Sequence, residues 1–309
     1  MNASLVDPPG ALDWASERDR WPHADASRFV DVDGFGWHVQ QMGRGPALLL
    51  LHGTGASTHS WRSLAPVLAQ RFTVIAPDLP GHGFTAPAPR SGQTVPGMAA
   101  AVAALVEHLG VEPVALVGHS AGAAIAIRCC LDDRLNPASV IGINAALLPF
   151  RGPAGLLFPP LARLLFLNPF TPRVFARRAA DRRRVERLLR GTGSALDPDG
   201  IDLYARLFVD PGHVAGTLGM MANWDLARFA RDLPELDVPL LLIAAENDRT
   251  IPAGAADRVG RIVPGAVVER LPGLGHLAHE EDAGAVAERI EAFIARADSP
   301  AAQARQAVD

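Results

Sequence analysis

Between residues 29 and 144, short uninterrupted apolar runs alternate with longer stretches of helical character. Residues 28–41 read as two short strands around a turn at Asp33–Gly34. ALLLLHG (47–53), TVIAP (73–77), VALVGHS (114–120), SVIGIN (139–144), PLLLIAAEND (239–248) and AVVERL (266–271) each read as a further strand. Apolar runs without polar alternation belong to strands buried on both faces, the mark of a parallel sheet. Helices are expected over about 60–69, 97–109, 121–132 and 283–296. This alternation predicts an α/β domain, a mostly parallel central sheet flanked by helices.

The alternation stops between residues 145 and 230. That stretch has no clear strand. It begins apolar (LLFPPLARLLFLNPF, 156–170) and turns basic, with Arg173, Arg177, Arg178, Arg182, Arg183, Arg184, Arg187 and Arg190. It reads as a helical cap (lid) inserted over the C-terminal edge of the sheet, where ligands bind in open α/β folds. The chain thus divides into an N-terminal extension (1–28), a core (29–144 with 231–296), the cap (145–230) and a disordered tail (297–309).

Composition narrows the function. A formal charge of −4 argues against a nucleic-acid partner, which calls for a basic excess. Every one of the 29 basic residues is arginine. Codon usage accounts for that bias; arginine chosen for carboxylate or phosphate recognition needs local support. From Ala145 to Asp225 there are 11 Arg against 7 acids, so the cap is net positive and the rest net negative. A solvated helix face explains this. Contact with porphyrin propionates or acidic lipid headgroups is the alternative, and the apolar and Arg-rich segment suits peripheral membrane contact. The two cysteines, Cys129 and Cys130, are adjacent and too few for a disulfide scaffold, which suits a reducing compartment. The first 20 residues lack a basic stretch followed by an apolar core, and no run of 18 apolar residues occurs; a cytoplasmic protein is expected.

The strongest chemical signal is Gly118-His119-Ser120-Ala121-Gly122. It follows a buried strand and precedes a helix rich in small residues, as a G-x-S-x-G nucleophile elbow must. The helix N-terminus behind Ser120 favours developing negative charge. A serine hydroxyl needs a base. His276, in the Gly-rich loop PGLGHLAHEE after the last strand, is the first candidate, and His279 the second. The base needs an acid to fix its tautomer. Asp248 ends a strand and precedes Arg-Thr-Ile-Pro; Glu246 lies nearby on the strand, and the preceding strand ends in Asn144, which offers no carboxylate. The order Ser120, Asp248, His276 separates this arrangement from the chymotrypsin and subtilisin orders. Oxyanion donors are expected from the backbone N–H groups of Ala121 and Thr54, the latter in His52-Gly53-Thr54-Gly55. Asp78-Leu79-Pro80-Gly81-His82-Gly83 reads as a structural loop walling the site. No dinucleotide fingerprint, P-loop lysine or zinc spacing is present, so no cofactor and no metal are expected.

HGTG (52–55), DLPGHG (78–83), GHSAG (118–122), the Asp248 strand end and the His276 loop, in that order, resemble the α/β-hydrolase fold family over about residues 29–295. LLLLHGTGASTHSWRSLAP, GHSAGAAIA, INAALLPF, NPFTPRVFARRA, MMANWDL and PGLGHLAHEE are similar to the magnesium-chelatase accessory proteins of bacteriochlorophyll biosynthesis in phototrophic bacteria. The resemblance implies a place in photosynthesis and tetrapyrrole metabolism, with magnesium chelatase as a partner. Within the α/β-hydrolase family, a serine at 120 disfavours the dehalogenases and epoxide hydrolases, which carry aspartate there. Two functions follow. One is a serine hydrolase acting on a bulky hydrophobic ester. The other is a non-hydrolytic accessory protein that keeps the scaffold to hold a tetrapyrrole or a chelatase subunit.

Overall fold

The computed structural model describes residues 12–149 and 168–297. The apolar stretch 156–167, residues 1–11 of the extension and the tail 298–309 lie outside the described residues.

The strands are β1 (Ser27–Val32), β2 (Phe35–Met42), β3 (Ala47–Leu51), β4 (Thr73–Pro77), β5 (Pro113–His119), β6 (Ser139–Ile143), β7 (Leu240–Ala245) and β8 (Val267–Leu271). They form one sheet in the order β1-β2-β4-β3-β5-β6-β7-β8. Only the β1–β2 and β2–β4 pairs are antiparallel; β4 through β8 run parallel. Both faces are covered, as the unbroken apolar runs predict. Leu49, Leu51, Leu116, Val140 and Leu242 point to one side, into a core completed by α3 (Val95–His108) and α4 (Ala121–Leu131). Their neighbours Leu48, Leu50, Val117, Ile141 and Ile243 point to the other, against α2 (Leu64–Leu68) and the C-terminal helix Ala283–Ala297. The period of two along each strand is what divides one run into two cores. The helix expected over 60–69 is instead a 3-10 turn, Thr58–Trp61, followed by α2. The turn is fixed by the Thr58 N–H, which donates to Asp78 at 2.6 Å.

Between β6 and β7 the described residues form helices and no strand: α5 (Thr171–Ala179), α6 (Arg182–Gly191), α7 (Pro198–Phe208), α8 (Pro211–Asn223) and α9 (Leu226–Asp232). Helices α7 and α8 meet loops that leave the C-terminal ends of the parallel strands: Phe208 and Thr217 lie at Gly55, after β3, and Gly216 lies at Gly81, after β4. The N-terminal segment, with its helix α1 (Trp14–Glu17), clasps them: the Leu12 N–H donates to Asp210 at 2.6 Å, Glu17 pairs with Arg206 at 2.7 Å, and buried Trp21 packs with Leu203 and Leu207.

A buried polar latch joins these helices to the core. Arg62 donates to Glu280 and, at 3.2 Å, to Asp197 at the start of α7; the Tyr204 hydroxyl of α7 donates to Glu280 at 2.8 Å. Burial pushes the Glu280 carboxyl up to about 7, against the pull of Arg62 and Tyr204. Glu280→Ala would leave a largely buried guanidinium and a buried hydroxyl short of a partner. A loss of about 3–5 kcal/mol is expected, seen as a fall in Tm of roughly 6–20 °C. A calorimetric scan that moves by less than about 2 °C, worth roughly 1 kcal/mol or less, would show the latch to be idle.

Candidate active site

Ser120 stands between β5 and α4 with φ 50° and ψ −111°. That backbone is costly for a residue with a side chain and is held by its surroundings. The Ser120 N–H donates to the Ile143 carbonyl at 2.9 Å, and the Ser120 carbonyl accepts from Ala146 at 3.1 Å. The helix after the turn approaches β3 so closely that a Cβ on Gly122 would lie 1.9 Å from the Leu51 carbonyl oxygen. Glycine at this place in the motif is therefore steric necessity. Ala121, the first residue of α4, has no intrahelical acceptor for its N–H.

His276 and Asp248 come together. His276 Nδ1 donates to Asp248 Oδ2 at 2.7 Å, and both side chains are buried. Asp248 Oδ1 accepts from the N–H groups of Thr250 (2.7 Å) and Ile251 (2.8 Å). The carboxylate is thus oriented by its own loop, and Nε2 of His276 takes no part in this bond. Glu246 falls one residue past the end of β7 and is exposed, so it is not on the strand as its sequence suggests. His279 opens a short helix, Ala278–Glu281, and packs against Trp61 and His119, away from Asp248. Burial lowers it to about 3.

The Ser120 turn and the His276 loop touch through His119. Its Nε2 donates to the His276 carbonyl at 2.9 Å, and the two rings lie 4.8 Å apart. Among the described residues no hydrogen bond joins the Ser120 hydroxyl to His276. Nucleophile–base bonds are commonly loose without substrate and tighten when it binds.

The 52–55 loop lies against the serine: a Cβ on Gly53 would come within 3.2 Å of the Ser120 Cβ. His52 acts as a strut beneath this loop. Its Nδ1 donates to the Gly53 carbonyl and its Nε2 accepts from the Leu79 N–H, both at 2.8 Å. Burial and the neighbouring His82 hold it neutral, at about 3. Two contacts from α8 steady Thr54 and Gly55. His213 Nε2 donates to the Gly55 carbonyl at 3.1 Å while its Nδ1 accepts from Gly83, and Thr54 Oγ1 donates to the Met220 sulfur at 2.9 Å. The helical insertion therefore bears directly on the oxyanion loop expected from the sequence. The 78–83 loop is anchored by Asp78, which accepts from His38, Thr58 and Phe84. Burial opposes the Asp78 charge, but His38 and these donors hold its carboxyl well below the usual range.

Sequence reasoning passed over several of these residues. Asn144, with φ 46°, donates to the carbonyls of Gly275 (3.0 Å) and His276 (2.9 Å) and accepts from Ala245 at 2.8 Å. It fastens the His276 loop to the end of β7. Its place at a strand end was the available signal. His213, Glu280 and Tyr204 carried none. Ser194, between α6 and α7, accepts from the Leu277 N–H at 2.8 Å. It also lines a cavity of about 420 Å³ with Leu189, Leu196, Ile201, Glu186 and Arg190. No group of three or more acidic, His or Cys side chains among the described residues could hold a metal ion.

Residues 46–283 match the family model of the alpha/beta hydrolase fold. Among curated proteins, the chain is 44% identical over 262 residues to the magnesium-chelatase 30 kDa subunit of Rhodobacter capsulatus, covering 84% of this chain and 91% of that one. Among solved structures it resembles the epoxide hydrolase CorEH, with a TM-score of 0.76, 24% identity, and coverage of 87% of this chain and 98% of that one. It also resembles an esterase from Exiguobacterium antarcticum, with a TM-score of 0.71, 19% identity, and coverage of 86% and 98%. At these identities the two structures speak to fold alone.

Proposed function

The chain belongs to the α/β-hydrolase fold family, and from that premise we propose that it is a serine hydrolase working on a bulky hydrophobic ester. The observation that carries this is the 2.7 Å His276–Asp248 bond beside a serine held on a strained elbow. Ser120 Oγ attacks the ester carbonyl while its proton passes to His276 Nε2. The N–H groups of Ala121 and Thr54 receive the oxyanion, each worth about 2.7–4 kcal/mol of barrier. Collapse expels the alcohol, which takes the proton from His276, and leaves an acyl-serine. Water, deprotonated by the same imidazole, then releases the acid. No cofactor or metal enters this sequence.

The likeness to the Rhodobacter capsulatus subunit supports a role alongside magnesium chelatase in bacteriochlorophyll biosynthesis, with tetrapyrrole esters as the first substrates to try. A cytoplasmic setting fits Cys129 and Cys130, which are buried and free. No helix among the described residues is long and apolar enough to cross a membrane. The same likeness favours a second reading, an accessory protein that holds a tetrapyrrole or a chelatase subunit without turnover. Labelling of wild type and Ser120→Ala with a fluorophosphonate separates the two. The hydrolase reading expects label on wild type alone. A folded wild type that takes no label, with porphyrin binding that survives Ser120→Ala, favours the accessory reading.

A further inference from the structure

Among the described residues, six large apolar side chains stand exposed, and Phe170, Val174, Phe175 and Leu188 of that set fall within α5, α6 and the residue before them. Phe170 keeps 67% of its surface in solvent. Helix α5 turns Thr171 and Ala176 inward, so Phe170, Val174 and Arg178 form one outward stripe at four-residue spacing. Exposed Arg173, Phe175 and Arg177 flank it.

The charges on these helices are unbalanced. Residues 168–191 hold eight arginines against Asp181 and Glu186, in a chain whose net charge is −4. Arg182, Arg184 and Arg190 find carboxylates. Arg173, Arg177, Arg178, Arg183 and Arg187 have no carboxylate partner among the described residues. A merely solvated helix face would carry polar groups between its cations. Here aromatic and aliphatic groups stand between them.

We propose that α5 and α6 dock the protein onto an anionic lipid surface. Phe170, Val174 and Phe175 enter the headgroup–acyl boundary, and the unpaired arginines meet lipid phosphates. A second copy of this chain is a poorer occupant, because a two-fold contact would set the same unpaired arginines against each other. The surface does not depend on catalysis at Ser120.

Co-sedimentation of the full chain with vesicles tests the idea. Binding is expected to phosphatidylglycerol–phosphatidylcholine vesicles at low salt, with release at high salt. Phosphatidylcholine alone should not bind. Arg177→Ser with Arg178→Ser should weaken partitioning about fivefold per arginine, roughly twenty-five-fold together. Phe170→Ser with Phe175→Ser should weaken it as well; both pairs are exposed, and circular dichroism checks their folding. No binding to the anionic vesicles overturns the proposal. So does binding indifferent to lipid charge, or binding that survives either pair. A dimer in sedimentation velocity that the same substitutions dissolve would replace the membrane with a second copy.

Discussion

Acidification from pH 7.5 to 5.5 is expected to unfold this protein. Six histidines are wholly buried and held neutral, chiefly by desolvation. His52, His82 and His279 are lowered to about 3 and His213 to about 4; His59 and His119 lie well below 6.5. Several could not be charged in place without new acceptors. Both ring nitrogens of His279, Nδ1 of His119 and Nε2 of His59 and His82 have no hydrogen-bond partner among the described residues. The unfolded chain takes up these protons below about pH 6.5, while the folded chain refuses them until well below that pH. Folded pKa values below the unfolded one mean that stability is complete above 6.5 and falls as pH drops. Each histidine costs about 1.4 kcal/mol by one unit below 6.5, so the six cost about 8 kcal/mol at pH 5.5. That matches a whole stability of about 5–15 kcal/mol. Glu280, raised to about 7, works in the opposite direction, but it is one group against six. Asp78 acts only below its unfolded value near 3.8. Urea midpoints at pH 7.5, 6.5 and 5.5 are the measurement. A midpoint that stays level across this range would mean the buried rings are not held neutral.

The same histidines mark the limit of what the sequence discloses. Strands read well because each is a short run buried on both faces, and Leu48–Leu51 could be little else. The elbow read well because Gly118, Ser120 and Gly122 answer to local geometry. His276 meets Asp248 and His279 does not, which fits a loop position that reaches the sheet edge where a helix start does not. The roles of His213 and Glu280 depend on partners far along the chain: Gly55 lies 158 residues from His213, and Arg62 lies 218 residues from Glu280. No local pattern encodes such a meeting. Asn144 is intermediate. A strand-end residue that cannot be the acid was visible, but its two bonds into the His276 loop arise only when β6 is set beside β7.

Asp248→Asn is expected to lower kcat for ester hydrolysis, and the rate of fluorophosphonate labelling, by about 10⁴-fold, with little change in fold. The size is that known for the corresponding change in a serine protease triad; the direction follows from this loop. Oδ1 of Asp248 accepts from two backbone N–H groups, at 2.7 and 2.8 Å. An asparagine must leave its carbonyl oxygen there, since its amide group would place donors against donors. Its NH₂ then faces His276 Nδ1, where the carboxylate now accepts at 2.7 Å. To meet a donor, Nδ1 must give up its proton, and the proton moves to Nε2. The nitrogen that should take the Ser120 proton is then already occupied. Asp248→Ala leaves Nδ1 unconstrained, so some rings keep Nε2 bare, and its residual rate should exceed that of Asp248→Asn. The ordering of the two variants carries the argument. A labelling rate for Asp248→Asn within about tenfold of wild type, worth roughly 1.4 kcal/mol or less, would remove Asp248 from the machinery and leave the His276 bond as a structural contact.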